Sequence, residues 1–154
     1  MIQRIQTVYL SLTILLSLLF LSGGFFSFAD SSGNLIEAKI DGIFIKANES
    51  TSLVHNTLPV TISVLLVTFS SLVTIFLYKS RKIQLRLAIS VIVLASIFVV
   101  TEAYCIWFVT SEYNARFAPG FKMAIPAAML IFSILAFRGI RKDDRLVKSY
   151  DRLR

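Results

Sequence analysis

The chain holds a single cysteine, Cys105, and a single histidine, His55, in 154 residues. One thiol cannot close an intramolecular disulfide, and one thiol with one imidazole gives no zinc-ligand spacing, so neither a disulfide scaffold nor a structural metal is expected. Acidic residues are also scarce, nine against sixteen basic ones. No two of them stand at the spacing of a general acid-base pair, no nucleophile sits beside a base, and no glycine-rich phosphate loop is present. An enzyme is therefore not expected, and no cofactor is implied.

Charge of either sign is confined to 16% of the chain, while 56% is hydrophobic and the mean hydropathy is +0.75. A single small core cannot hide that much apolar surface, and the charges fall in clusters between long uncharged runs. Lipid is the natural solvent for such runs. The net charge of +7 raises nucleic acid as a partner, but the excess stands beside the apolar runs and no base-reading motif accompanies it. No specific nucleic-acid recognition is expected.

A bilayer core about 30 Å thick needs roughly 20 helical residues, because each backbone N–H and C=O must be satisfied within the segment. Four segments meet that test, at about 7–26, 58–78, 87–109 and 117–137. The first two contain no charged residue, the third contains Glu102, and the fourth is clean only from Met123 to Phe137 and borrows Phe117 to Lys122 for length. The sequence thus predicts one all-α membrane domain, a four-transmembrane-helix bundle. Arg4 before an apolar run, with Ser27-Phe28-Ala29 after it, also fits a cleaved leader. The run is longer than a leader's apolar region and its basic prefix is minimal, so it is read as a span.

Lys and Arg in short loops stay on the cytoplasmic side. Arg4, the second connection (Lys79, Arg81, Lys82, Arg86) and the tail from Arg138 to Arg154 hold twelve of the sixteen basic residues. Only Lys39, Lys46, Arg116 and Lys122 fall on the other side. Both termini are therefore expected in the cytoplasm.

The segment 27–56 is the one external stretch long enough to fold. Leu35 to Ile40 and Ile43 to Ala47 are rich in β-formers and flank Asp41-Gly42, which tolerates a type I′ turn and predicts a β-hairpin, or a three-stranded meander, between helices 1 and 2 over their outer ends. Ser31-Ser32-Gly33-Asn34 is a second turn candidate, and Asn48-Glu49-Ser50 matches a glycosylation acceptor too short to carry weight. Lys79 to Arg86 reads as a tight basic turn. Pro119-Gly120 breaks helix before the fourth span.

Three residues form a candidate polar intramembrane site: Glu102, His55 and Lys122. An intramembrane carboxylate is costly and often functional, yet one charge makes no relay. A buried contact satisfied by a hydroxyl, a water, Lys122 or Arg116 is the simpler expectation for Glu102. His55 at the outer mouth of the second span reads as a polar anchor, and Tyr9, Tyr78, Tyr104, Trp107 and Tyr113 as interfacial aromatics. Small residues on shared faces, Ser63, Ser70 and Thr74 on the second helix and Ala124 and Ala128 on the fourth, suggest close helix packing. Pro126 either fits the first turn of the fourth helix or kinks it.

The tail 138–154 reads as a cytoplasmic basic amphipathic helix, with Ile140, Val147, Tyr150 and Leu153 near helical spacing. Arg141, Lys142, Arg145, Lys148 and Arg152 are its candidate contacts to anionic lipid or to a partner.

Two stretches carry a family resemblance: the opening Met1-Ile2-Gln3-Arg4-Ile5-Gln6-Thr7, and the closing Ile140-Arg141-Lys142-Asp143-Asp144-Arg145-Leu146-Val147 with Asp151-Arg152-Leu153-Arg154. They resemble the bacterial domain-of-unknown-function family 4293, small four-span membrane proteins. The resemblance implies an inner-membrane location and supplies no activity or catalytic residue. The functional expectation is a non-catalytic accessory or structural subunit of a larger membrane protein complex, in contact with membrane lipid. A small transporter or lipid- or ligand-binding bundle using Glu102 is its rival.

Overall fold

The computed structural model describes residues 3–29, 35–47, 50–78 and 80–151. The turn candidate 31–34, Asn48-Glu49, Lys79 and Arg152 lie outside the described residues, as does the side chain of Lys148. They form four helices, α1 (Gln3–Leu21), α2 (Leu58–Phe76), α3 (Arg81–Tyr113) and α4 (Ala124–Asp151), and five strands, with β1 (Phe26–Ala29), β2 (Leu35–Ala38), β3 (Ile43–Ala47) and β4 (Ser50–His55) between α1 and α2, and β5 (Arg116–Ala118) between α3 and α4. Consecutive helices pack side by side, and α4 closes the ring against α1.

The buried positions show why these helices associate. On α3 they are Gln84, Ala88, Val91, Ala95, Phe98, Glu102 and Val109, steps of four and three as far as Glu102 and then one of seven, two such steps together. The same 3.5-residue rhythm runs through Gln6, Leu10, Thr13, Ser17 and Phe20 on α1, Val60, Val64, Val67, Ser71 and Thr74 on α2, and Met129, Ser133, Ala136 and Ile140 on α4. A seam with that repeat keeps facing its neighbours only when helices pack nearly antiparallel, as in four-helix bundles. Large side chains such as Leu65, Phe69, Val93, Val100 and Ile131 point outward instead.

Ser and Thr in the seam bond back to the preceding turn, as Ser17 does to the Ile14 carbonyl and Ser133 to that of Leu130, both at 2.7 Å. This leaves their small volume to bring backbones close. Neighbouring helices are also joined by side-chain bonds. Thr68 donates to Ser17 Oγ at 2.7 Å between α2 and α1, Ser63 and Thr101 meet at 3.3 Å between α2 and α3, and Gln6 donates to Asp143 between α1 and α4. The expected small face on α2 is buried at Ser63 and Thr74. On α4 the expected Ala124 and Ala128 are not the packing face: Ala124 is exposed, and Ile125 and Met129 take its place.

Among the described residues three helices are long and apolar enough to cross a membrane: Leu58–Phe76, Arg81–Tyr113 and Phe121–Leu146. They match the second, third and fourth segments read from hydropathy. The apolar stretch Ile5–Leu21 is shorter, because α1 ends at Leu21, Gly23 turns the chain with φ +78°, and Phe26 belongs to a strand. The third segment is longer than expected at both ends. Arg81, Lys82 and Arg86 form its first turns, so the tight basic turn shrinks to the few residues between Phe76 and Arg81.

The fourth segment starts later than expected. Phe117 lies in β5, Pro119-Gly120 breaks the chain, and a single 3₁₀ turn over Phe121–Met123 leads into α4. Pro126 therefore falls in the first turn of α4, where its missing N–H breaks no intrahelical bond.

The sheet is larger than a hairpin: five antiparallel strands in the order β4-β3-β2-β1-β5. β5 arrives from the far connection to pair Phe117 with Phe28. Phe26, Phe28, Ile36, Ala38 and Ile43 face inward and join Phe20, Phe25, Val60 and Phe98 in one core, with Phe20 stacked on Phe25 at 4.5 Å. The sheet is thereby fixed to the ends of the helices, the support such short strands require.

The β2–β3 turn is shifted by one residue from the expected Asp41-Gly42. Lys39 and Gly42 pair across it, and Ile40 and Asp41 are the central residues, neither at positive φ. The type I′ form is thus excluded. The cause lies in α2, whose Thr57 and Thr61 hydroxyls donate to the Lys39 and Ile40 carbonyls at 2.5 to 3.2 Å and hold the turn to the bundle.

Candidate functional site

Glu102 takes one step of the α3 seam, between Phe98 and Val109, and is 6% exposed. Its carboxylate Oε1 is buried and has no hydrogen-bond partner among the described residues. The hydroxyl nearest in sequence is already engaged, since Thr101 donates to the Phe98 carbonyl at 2.9 Å and meets Ser63. A buried polar atom left unpaired costs on the order of 1–3 kcal/mol.

Neither Lys122 nor Arg116 pairs with Glu102 among the described residues. Lys122 donates to the carbonyls of Phe20, at 3.4 Å, and of Ser22, at the C-terminal end of α1. Those carbonyls lack helical donors and carry the negative end of the helix dipole, so a cation is the natural cap. Arg116 is exposed on β5, opposite Ala29. The expected contact between Glu102 and either base is not formed among the described residues.

His55 ends β4, pairs with Ile43 and rests on the Phe108 ring at 4.7 Å. It stands at the mouth of a cavity of about 260 Å³ between the start of α2 and the C-terminal half of α3. The walls include Val60, Val100, Tyr104, Cys105 and Phe108. Glu102 does not line it: Thr101 and Cys105 do, while Glu102 turns to the seam behind them. Glu102, His55 and Lys122 therefore occupy three separate environments, not one site.

A second cluster lies at the opposite end of the bundle. The α4 helix continues without a break into the tail, where Arg138, Arg141, Lys142 and Arg145 are exposed and, with Phe137 and Leu146, line a groove of about 380 Å³. The other face of the same turns is anchored. Ile140 is buried, Asp143 accepts from Gln6, Arg81 Nη1 donates to the Asp143 carbonyl at 3.4 Å, and Gly139 approaches so near that an added Cβ would lie 2.9 Å from Gln6 Cγ. The anchored face has a signal in the sequence, a glycine between Arg138 and Ile140, but its partner on α1 does not.

These features define a mostly helical protein with three helices fit to cross a membrane, a small antiparallel sheet at one end and an anchored basic helix at the other. The chain belongs to the family described as domain of unknown function DUF4293, whose family model matches residues 2–153. No curated protein and no solved structure matches it.

Proposed function

We propose that the protein is a four-span, non-catalytic accessory subunit of the bacterial inner membrane, which holds a basic helix at the cytoplasmic face for a larger membrane assembly. The anchoring of the α4 extension is the observation that carries this reading. Its 28 residues at ~1.5 Å each exceed the bilayer core of about 30 Å, so about two turns project beyond it. They project in a fixed direction, clamped by Gln6 and Arg81, with the basic residues turned outward.

The orientation, with both termini in the cytoplasm, follows from the charge distribution. Arg81, Lys82 and Arg86 sit at the N-terminal end of α3, where the helix dipole disfavours cations by about 0.3–1 kcal/mol. Basic residues placed against that preference fit the retention of Lys and Arg on the cytoplasmic side. In this reading α1 is the fourth span, ~28 Å long for its 19 residues and lying between α2 and α4. The transporter alternative rests on Glu102, which lies behind the cavity wall and not in the cavity.

Extraction of native membranes in a mild detergent, followed by native electrophoresis and identification of the associated proteins, tests the reading. A defined assembly larger than the chain, weakened by R141E/K142E/R145E, is expected. A monomer that is unaltered by the triple substitution would remove the subunit role.

A further inference from the structure

We propose that the cavity between α2 and α3 holds one acyl chain of a phospholipid from the leaflet nearest the sheet, with the lipid's polar part against His55 and Asn56. The proposal goes beyond the subunit role and rests on the α2 and α3 helices crossing the membrane.

The chemistry of the walls selects the occupant. Its walls include the apolar side chains of Val60, Val100, Cys105 and Phe108. Of the hydroxyl-bearing residues on the lining, Thr57 is committed to the Lys39 and Ile40 carbonyls and Thr101 to Phe98 and Ser63, while Tyr104 is 59% exposed at the rim. A sugar, peptide or nucleotide entering would leave its own polar groups unpaired, at a cost of several kcal/mol in an apolar medium. Hydrocarbon has nothing to leave unpaired.

The cavity is also graded from end to end. At the sheet end His55 and Asn56 are exposed, and Asn56 Oδ1 accepts from the Leu58 N–H at 3.0 Å, which leaves its amide NH₂ for a ligand. At the other end Val100 is 66% exposed on the outer surface of α3, in line with Val93, Ile97, Tyr104 and Trp107. The cavity thus opens onto the surface that lipid covers, and its polar rim lies just before the first turn of α2, where headgroups begin. Its ~260 Å³ falls just under the range of about 300–1,000 Å³ typical of ligand pockets, which suits part of one chain and not a whole lipid.

The test uses the full chain in vesicles of phosphatidylethanolamine and phosphatidylglycerol that contain a phospholipid with a photoactivatable diazirine in its acyl chain. Adducts are mapped by peptide mass spectrometry after irradiation. Phe69 and Ile131, 67% and 56% exposed, report ordinary lipid contact. Adducts at Tyr104 and Cys105 are expected in excess over those two positions. The excess should be lost in V100W and in V60F, which fill the cavity from opposite walls. Unchanged adducts at Phe69 and Ile131 in each variant show that the fold survives. Equal labelling at all four positions, or an excess that persists in a folded filling variant, would overturn the proposal.

Discussion

Gln6 on α1 and Asp143 on α4 stand 137 positions apart and meet in a hydrogen bond from the amide Nε2–H to the carboxylate Oδ2. They lie in the two stretches, opening and closing, that carry the family resemblance, so the two motifs are halves of one contact. Gly139, one turn before Asp143, makes room for the Gln6 stem.

That geometry predicts a change of sign. Alone, Gly139→Ala should destabilise the bundle by about 1–3 kcal/mol, because the added methyl displaces the Gln6 stem from Asp143 in a packed seam. In a Gln6→Ala background the stem is gone. The same Gly139→Ala change should then stabilise by up to about 1 kcal/mol, the helix preference of alanine over glycine. Thermal unfolding in detergent, run as a double-mutant cycle, measures this coupling. Additive effects would mean that Gly139 and Gln6 do not share a contact.

How much of this was legible in the sequence differs by element. The second helix was read at 58–78 and runs Leu58–Phe76, because an uncharged run bounded by Pro59 near its start and a basic cluster past its end leaves little choice. β2 and β3 were legible from their β-branched residues. β1 was not, since Phe26-Ser27-Phe28-Ala29 continues an apolar run without a change in hydropathy, and only Gly23-Gly24 marks the break. β5 is three residues whose partner, β1, lies far off in sequence. The seam of α3 was hidden for a different reason: a lipid-facing helix is apolar all round, so hydrophobic periodicity carries no signal. The inward direction of Glu102 was legible from the expense of a charge in lipid, but the employment of Lys122 elsewhere was not.

Orientation can be tested with single cysteines in a Cys105→Ala background. S22C and G120C, near the sheet end, should react with a membrane-impermeant maleimide in right-side-out vesicles, and K142C only in inside-out ones. S22C and a cysteine at Gln3 reacting from the same side would show that α1 does not cross.

Lys122 offers a test of helix capping across the fold. Lys122→Met should lower stability by roughly 1 kcal/mol, since the α1 carbonyls of Phe20 and Ser22 lose a cationic donor near the helix terminus. Lys122→Arg should retain most of it. Unfolding midpoints equal for wild type and Lys122→Met would show that solvent caps α1 as well as lysine does.

Glu102 gives the sharpest prediction, because its position and its chemistry disagree. The seam on either side is apolar, with Phe98 above and Val109 below, and Oε1 has no partner among the described residues, so the carboxylate is a burden on the fold. Replacing an unpaired buried polar group by an apolar one of similar size relieves that burden and is often stabilising. Glu102→Leu should therefore raise the unfolding midpoint, by an amount corresponding to about 1–3 kcal/mol. Glu102→Gln should change it little, since the amide is equally short of partners. The two variants then divide structure from function. If the subunit role is the whole of it, both folded variants should complement a deletion strain, because neither alters the outer surface or the basic helix. A Glu102→Leu protein that is more stable, correctly inserted and inactive would show that the carboxylate is retained for chemistry at the expense of stability, and the transporter reading would take the place of the subunit one.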